Sequence, residues 1–372
     1  MFERDIPAEE RNRKMGRRSA ALPFAALTRR RLLGQTAAAA VAVSILPRTA
    51  GAQSKVVNVY NWDTYIGETT LEDFTAETGI QVRYDLFASN DELFAKLRQG
   101  NPGYDVIFPS NDYVERMIVA GMLEKLDHAR IPNMKHIDPA FADPAFDPGR
   151  QYSMPYMWGT IGIGYRKSVA SPTSWGDVLE PTEYSGRVSL LNDTSIIQVT
   201  LKYLGYSANS RSKKEIDEAA DLLIRAKPHI KAFAPDTGQD LLLSGEVDLA
   251  MEWNGDILQV MEEDDDLSYV VPKEGGLLWE DTMCIPKDAP NPDNAHRFIN
   301  YILTPKVHAD IATFIKYACP NKTALQYIPE EDRNNPAIYP PREVIERSEV
   351  SIYKGEEIES LYEQALTRVL AA

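Results

Sequence analysis

Acidic and aromatic side chains recur in this sequence just after short apolar runs that read as β-strands. Asn61, Trp62, Asp63 and Tyr65 follow the first such run, and Pro109, Ser110, Asn111 and Asp112 follow the third. Asn192 and Asp193 follow Leu191, Trp253, Asn254 and Asp256 follow Met251, and Trp279, Glu280 and Asp281 follow Leu278. No lysine or arginine occurs among these positions. Carboxylates hold an ammonium group by charge-assisted hydrogen bonds. Aromatic faces pack on methylenes and attract the cation, each contact contributing about 0.5–2 kcal/mol when desolvated. The combination suits an alkyl ammonium ligand. A single tryptophan after a strand is ordinarily a core residue, but similar chemistry at five strand ends points to one shared site.

Catalytic chemistry is poorly represented. His128, His136, His229, His296 and His308 lack the spacing of metal ligands. Neither a G-x-S-x-G elbow nor a Walker A loop is present. Gly162-Ile163-Gly164 is an incomplete glycine fingerprint, and the acidic run over residues 262–266 reads as a solvated loop. The expectation is a binding protein that needs no cofactor and is not an enzyme.

An alternation of strands and helices must position these residues. Strands are expected over 56–60, 80–84 and 105–108, with helices between and after them. Thr69 with Glu72, and Ser89 with Glu92, have the spacing of capping boxes; Gly79, Gly100 and Gly121 supply stops. A proline-rich stretch follows, and residues 161–165 read as an extended crossing segment. A second alternation predicts strands over 188–191, 230–233 and 247–251, with helices over 196–204, 214–226 and 240–244. Further helices are expected over 305–315 and 358–369. This order implies α/β units with a mainly parallel sheet covered on both faces. Ligands of such sheets bind beyond the carboxyl ends of the strands, where the acids and aromatics lie. Trp175 reads as the anchor of a helix start, and Trp158 as either hinge packing or a pocket wall.

The first 52 residues read as an export signal. They carry ten of the 40 basic residues and only four of the 55 acidic ones. An alanine-rich apolar run over 32–46 is too short to span a bilayer but suits a signal peptide. Ala50-Gly51-Ala52 fits a cleavage site, and Thr28-Arg29-Arg30-Arg31-Leu32-Leu33 resembles the twin-arginine motif. Processing near Gln53 leaves a chain of net charge −21, against −15 for the whole sequence. Such a surface repels nucleic acid and anionic membrane and attracts cations. Cys284 and Cys319 are the two cysteines; in an oxidising compartment they are either bridged or two buried thiols.

From about Val57 to Pro341 the sequence resembles the bacterial periplasmic spermidine/putrescine-binding proteins. The matching stretches are Tyr60-Asn61-Trp62, Phe108-Pro109-Ser110, Met154-Pro155-Tyr156-Met157-Trp158-Gly159, Trp253-Asn254-Gly255-Asp256, Pro272-Lys273-Glu274-Gly275-Gly276 with Trp279 and Asp281, and Asn335-Pro336-Ala337-Ile338-Tyr339-Pro340-Pro341. The resemblance implies an α/β, two-lobed type II periplasmic-binding-protein fold with a ligand cleft between lobes. Lobe 1 would be 54–160 plus 281–325, and lobe 2 would be 161–280 plus 326–372. Trp62, Asp63, Tyr65 and Ser110 match pocket positions in the first lobe, and Asp193, Trp253, Asp256 and Trp279 match positions in the second or at the crossing. Asp281 and Tyr317 match too, with Asp281 as the carboxylate for an amine. Relatives carry a glutamate shortly after the acid matching Asp193, where this chain has Thr194-Ser195-Ile196. Asp112 stands where relatives have a neutral or aromatic residue and is a candidate replacement.

The resemblance implies a monomeric periplasmic protein that captures a polyamine and presents it to an ABC transporter permease, without nucleic-acid partners. One alternative keeps the fold and takes an ω-amino acid such as γ-aminobutyrate, or another organic amine; a carboxylate-bearing ligand needs an arginine or a helix N-terminus facing it. Another is a secreted hydrolase using paired carboxylates.

Overall fold

The computed structural model describes residues 55–180, 183–235 and 237–372. The expected signal and its cleavage site lie outside these residues. Ten strands form one hydrogen-bonded sheet: β1 Val56–Trp62, β2 Gln81–Phe87, β3 Val106–Ile107, β4 Ser153–Arg166, β5 Val188–Leu191, β6 Ile230–Ala234, β7 Leu249–Trp253, β8 Leu267–Val270, β9 Leu277–Cys284 and β10 Glu349–Val350. The main path runs β2-β1-β3-β9-β4-β7-β5-β6, with β10 beside β9 and β8 beside β4.

Each end of this path is parallel, as the alternation predicted: β1 pairs with β2 and β3, and β5 with β6 and β7. The middle is not. β9 runs antiparallel to β3 and β4, and β4 antiparallel to β7. The expectation of a mainly parallel sheet therefore holds for each half and fails where the halves join. The crossing segment is also longer than 161–165: β4 has 14 residues, nearly all buried. Two long antiparallel strands thus tie two α/β halves together, giving a two-lobed architecture.

The helices are α1 Thr70–Thr78, α2 Asn90–Arg98, α3 Asn111–Val119, α4 Gly176–Leu179, α5 Ser195–Tyr203, α6 Lys213–Ala226, α7 Gly238–Leu243, α8 Asn254–Met261, α9 Pro292–Ile302, α10 Pro305–Ile315, α11 Glu330–Arg333, α12 Arg342–Arg347 and α13 Glu356–Ala371. Local chemistry explains several boundaries. Gly79 takes the left-handed conformation that ends α1. Ser89 caps α2 by accepting from the Glu92 N–H at 3.1 Å, while Glu92 accepts from Ala88 rather than from Ser89. The Thr69 box does not form, because its hydroxyl donates to Asp73 at 2.7 Å instead of capping α1. Trp175 does anchor a helix start: it precedes α4, is fully buried, and its indole N–H donates to Gly275 O at 2.8 Å. The acidic run is not simply solvated, since Asp264 and Asp266 both pair with Arg166. No helix among the described residues is long and apolar enough to cross a membrane.

Cys284 and Cys319 are both buried and unbridged. Burial raises both thiol pKa values, that of Cys319 to about 12, which leaves little reactive thiolate. A thiol-blocking reagent is expected to label neither cysteine in the native protein and both after unfolding. Mass spectrometry checks this; a mass two hydrogens low and no labelling after unfolding without reductant would show a bridge.

Candidate functional site

The ends of β1 and β3 and the middle of β9 meet at one place. Trp62 is the last residue of β1, and its indole N–H donates to Phe108 O at 2.9 Å, fixing the ring across the end of β3. Buried Asn61 staples the following turn: its amide donates to Tyr65 O, and its carbonyl accepts from Trp62 N. Tyr65 is thereby turned inward and Asp63 left exposed.

Ser110 stands where α3 would be capped, but its side chain makes no capping bond. Asn90, on α2, donates to Ser110 Oγ at 2.9 Å and accepts from Ser110 N at 3.1 Å. With its acceptor side occupied, the hydroxyl donates to Asp281 Oδ1 at 2.6 Å. Asp281 is 6% exposed. Burial pushes its pKa up to about 7, the Ser110 and Tyr65 hydroxyls pull it partly back, and Asp112 and Glu280 oppose ionisation. The Tyr65 hydroxyl lies beside this carboxyl without completing a regular hydrogen bond, and the Trp279 N–H also lacks a partner.

The second half supplies the opposite wall. Asn254 accepts from Thr160 N and donates to Ala337 O, fixing the first turn of α8 against β4. Asp256 lies buried in that first turn. Trp253, Trp279, Tyr317 and Tyr65 form a chain of edge-to-face rings, with successive centroids 5.5, 5.1 and 5.2 Å apart. Gly159 lets this chain close: a Cβ there would lie 2.6 Å from the Trp279 ring and would collide with the Asn254 amide.

Trp62, Asp63, Tyr65, Ser110, Trp253, Asp256, Trp279, Asp281 and Tyr317 line one chamber of about 340 Å³. Asp112 and Asp193 do not line it. They lie in a second chamber of about 580 Å³, which shares Trp62, Ser110, Trp253 and Trp279 with the first. Asp193 accepts from Ser195 N at 2.8 Å, and burial raises its pKa. Asp112 accepts from Tyr113 N and from Ser351 Oγ; burial pushes its pKa up to about 6, against the pull of Lys354. Asp91, Gln198 and Ser351 also line this chamber. None of the three, nor Asn90, was among the residues expected from the sequence. Asn90 adjoins the Ser89 cap, the one local sign available. Among the described residues, no lysine or arginine lines either chamber. Trp158 is not a wall; it packs between Phe141 and Tyr339.

Residues 69–340 match the family model described as bacterial extracellular solute-binding protein. The spermidine/putrescine-binding periplasmic protein of Escherichia coli is 38% identical over 295 residues, covering 78% of this chain and 84% of that protein. A putrescine-binding periplasmic protein of Pseudomonas aeruginosa is 35% identical over 349 residues, covering 88% and 94% respectively. Among solved structures, a spermidine/putrescine ABC transporter substrate-binding protein from Streptococcus pneumoniae superposes with a TM-score of 0.73 at 34% identity, covering 86% of this chain and 99% of that one.

The geometry around Asp281 makes a direct prediction. Its carboxyl should titrate near pH 7 in the empty protein, and Ser110→Ala should raise that value, because the lost hydrogen bond favours the ionised form. Carboxyl-carbon NMR of aspartate-labelled protein reads both. The native site keeps a proton that the unfolded chain releases above about pH 4. This group's contribution to the empty protein's stability is therefore present at low pH and lost as pH rises through about 7. A titration near 4 in the wild type would contradict the described burial.

Proposed function

Given that this chain belongs to the family of bacterial extracellular solute-binding proteins, we propose that it captures a polyamine of the putrescine/spermidine class in the periplasm and delivers it to an ABC transporter permease. The observation that carries this reading is the lining of the first chamber. Two buried carboxylates, Asp256 and Asp281, are combined with five aromatic rings and, among the described residues, no basic side chain. As an ammonium enters, Asp281 releases its proton to solvent and the resulting carboxylate accepts hydrogen bonds from the NH3+ group. The Ser110 hydrogen bond holds that charge in place. The indole and phenol faces cover the methylenes and exclude water. The missing basic residue weighs against an ω-amino acid, whose carboxylate would face Asp256 or Asp281 unneutralised.

In this reading the lobes comprise 54–160 plus 281–325 and 161–280 plus 326–372, and closure of one on the other buries the ligand and presents the loaded shape to the permease. The protein acts as a monomer, catalyses no reaction, uses no nucleic acid and is exported by the twin-arginine route.

Replacing Asp281 by Asn leaves the ligand's charge unpaired in a dry site and is expected to cost about 2–4 kcal/mol of putrescine binding. Trp253→Ala removes packing and cation–π attraction and should cost about 1–3 kcal/mol. Calorimetry measures both, and unchanged affinity in both variants would remove this pocket from consideration.

Ligand length is set by charges along the cleft, since an unpaired buried ammonium costs several kcal/mol. Asp256 and Asp281 are sufficient for a diamine, so putrescine should bind at least as well as spermidine. The second chamber supports a rival reading. Asp112 and Asp193 there offer carboxylates for a third amine despite Thr194-Ser195-Ile196. A competition titration on the wild type and Asp112→Asn separates the two. Clear spermidine preference in the wild type that disappears in the variant would establish the longer ligand and the role of Asp112.

A further inference from the structure

Tyr317 closes the aromatic chain, yet it follows a backbone that side-chain-bearing residues seldom adopt. Lys316, the residue after α10, has φ 61° and ψ 29°, the left-handed conformation. Glycine or asparagine is the usual choice there. Its side chain is mostly covered, 17% exposed, and its ammonium lies 2.9 Å from Glu262 and 3.4 Å from Asp332.

The corner at 315–317 is gripped by a single face of α8. Gly255, Gln259 and Glu262 are spaced i, i+4 and i+7, the stripe that one side of a helix presents. Gly255 has no side chain and lies against the Tyr317 ring; a Cβ there would overlap it. Gln259 donates to Ile315 O at 3.1 Å, taking up a carbonyl at the end of α10. Glu262, just past the last turn of α8, takes the Lys316 ammonium. The same helix begins at Asn254 and carries Asp256 into the chamber. One rigid element therefore fixes both an acid of the pocket and, through three contacts, the ring opposite it.

We propose that Lys316, which lines neither chamber, is a positioning residue for ligand capture. Its left-handed turn aims Tyr317 into the pocket, and its ion pair with Glu262 locks that turn to α8. This rests on the amine-binding reading above. The lock holds the ring wall shut over a bound ligand, so its loss should act on escape rather than on entry.

The test uses Lys316→Gly, which keeps the left-handed turn without strain but removes the ammonium, with Glu262→Gln, the double variant and Lys316→Arg. Putrescine affinity is measured by calorimetry, association and dissociation rates by stopped flow on tryptophan fluorescence, and melting temperature alongside. Lys316→Gly and Glu262→Gln should each weaken putrescine binding by about three- to tenfold, through faster dissociation. The double variant should be no worse than Lys316→Gly, because that variant already lacks the pair with Glu262, and Lys316→Arg should restore most of the affinity. A lowered melting temperature with unchanged affinity and dissociation rate would overturn the proposal, as would additive losses in the double variant. A wild-type protein that binds no amine would overturn the amine reading and this proposal together; tight wild-type binding with unaltered variants would overturn this proposal alone.

Discussion

Holding an ionisable carboxyl away from water, close to neutrality, is the constraint on which the rest of the site depends. Asp281 lies inside a strand, where solvent cannot stabilise its charge, and burial raises its pKa to about 7. A hydrogen bond from Ser110 supports the ionised form, and Asn90 directs that hydrogen bond. With a pKa of about 7, Asp281 is poised between protonated and ionised states near neutral pH. A basic side chain in this position would lower the pKa further but would occupy the place of the ligand.

The sheet explains how such a carboxyl comes to be buried. β9 crosses between two halves and has neighbours on both sides. Its partner β4 carries Gly159 opposite Trp279, which lets the indole pack against the strand and reach Tyr317. The same pair of strands joins the two lobes. Geometry at the pocket and the connection between lobes therefore rest on one antiparallel ladder.

Much of this was legible in residue order. The α10 boundaries agree with the expected 305–315, because Pro305 and the apolar spacing mark them locally. Nine of the eleven expected site residues surround one chamber; eight of them follow apolar runs, a local signal, and Tyr317 came from the family resemblance. Most of what failed depends on distant partners. The crossing was too short because Ser153 to Thr160 gains its strand character only by pairing with β9. Asp281 was assigned to a strand end, because Glu280 and Asp281 interrupt the apolar run that would otherwise announce β9. Asn90 acts across 20 residues on Ser110, and the Thr69 hydroxyl chose Asp73 over the backbone. Neither choice is written in spacing alone. Asp112 is likewise held in the second chamber by Ser351, far along the chain.

On the proposed amine-binding reading, a site that takes one ligand cation at Asp256 and another at Asp281 should discriminate sharply between a diamine and its singly charged or zwitterionic analogues. The most direct measurement is thermal unfolding of the exported protein at pH 7.5 with 1,4-diaminobutane, butylamine or γ-aminobutyrate at equal concentration. A ligand present at about 100 times its dissociation constant adds about 2.7 kcal/mol to the folded state, enough to raise the melting temperature by about 4 °C in a chain of about 320 residues. The diamine is expected to produce such a shift, butylamine a much smaller one and γ-aminobutyrate essentially none. An equal or larger shift with γ-aminobutyrate, or no shift with the diamine, would contradict a pocket built from carboxylates to complete themselves with a dication.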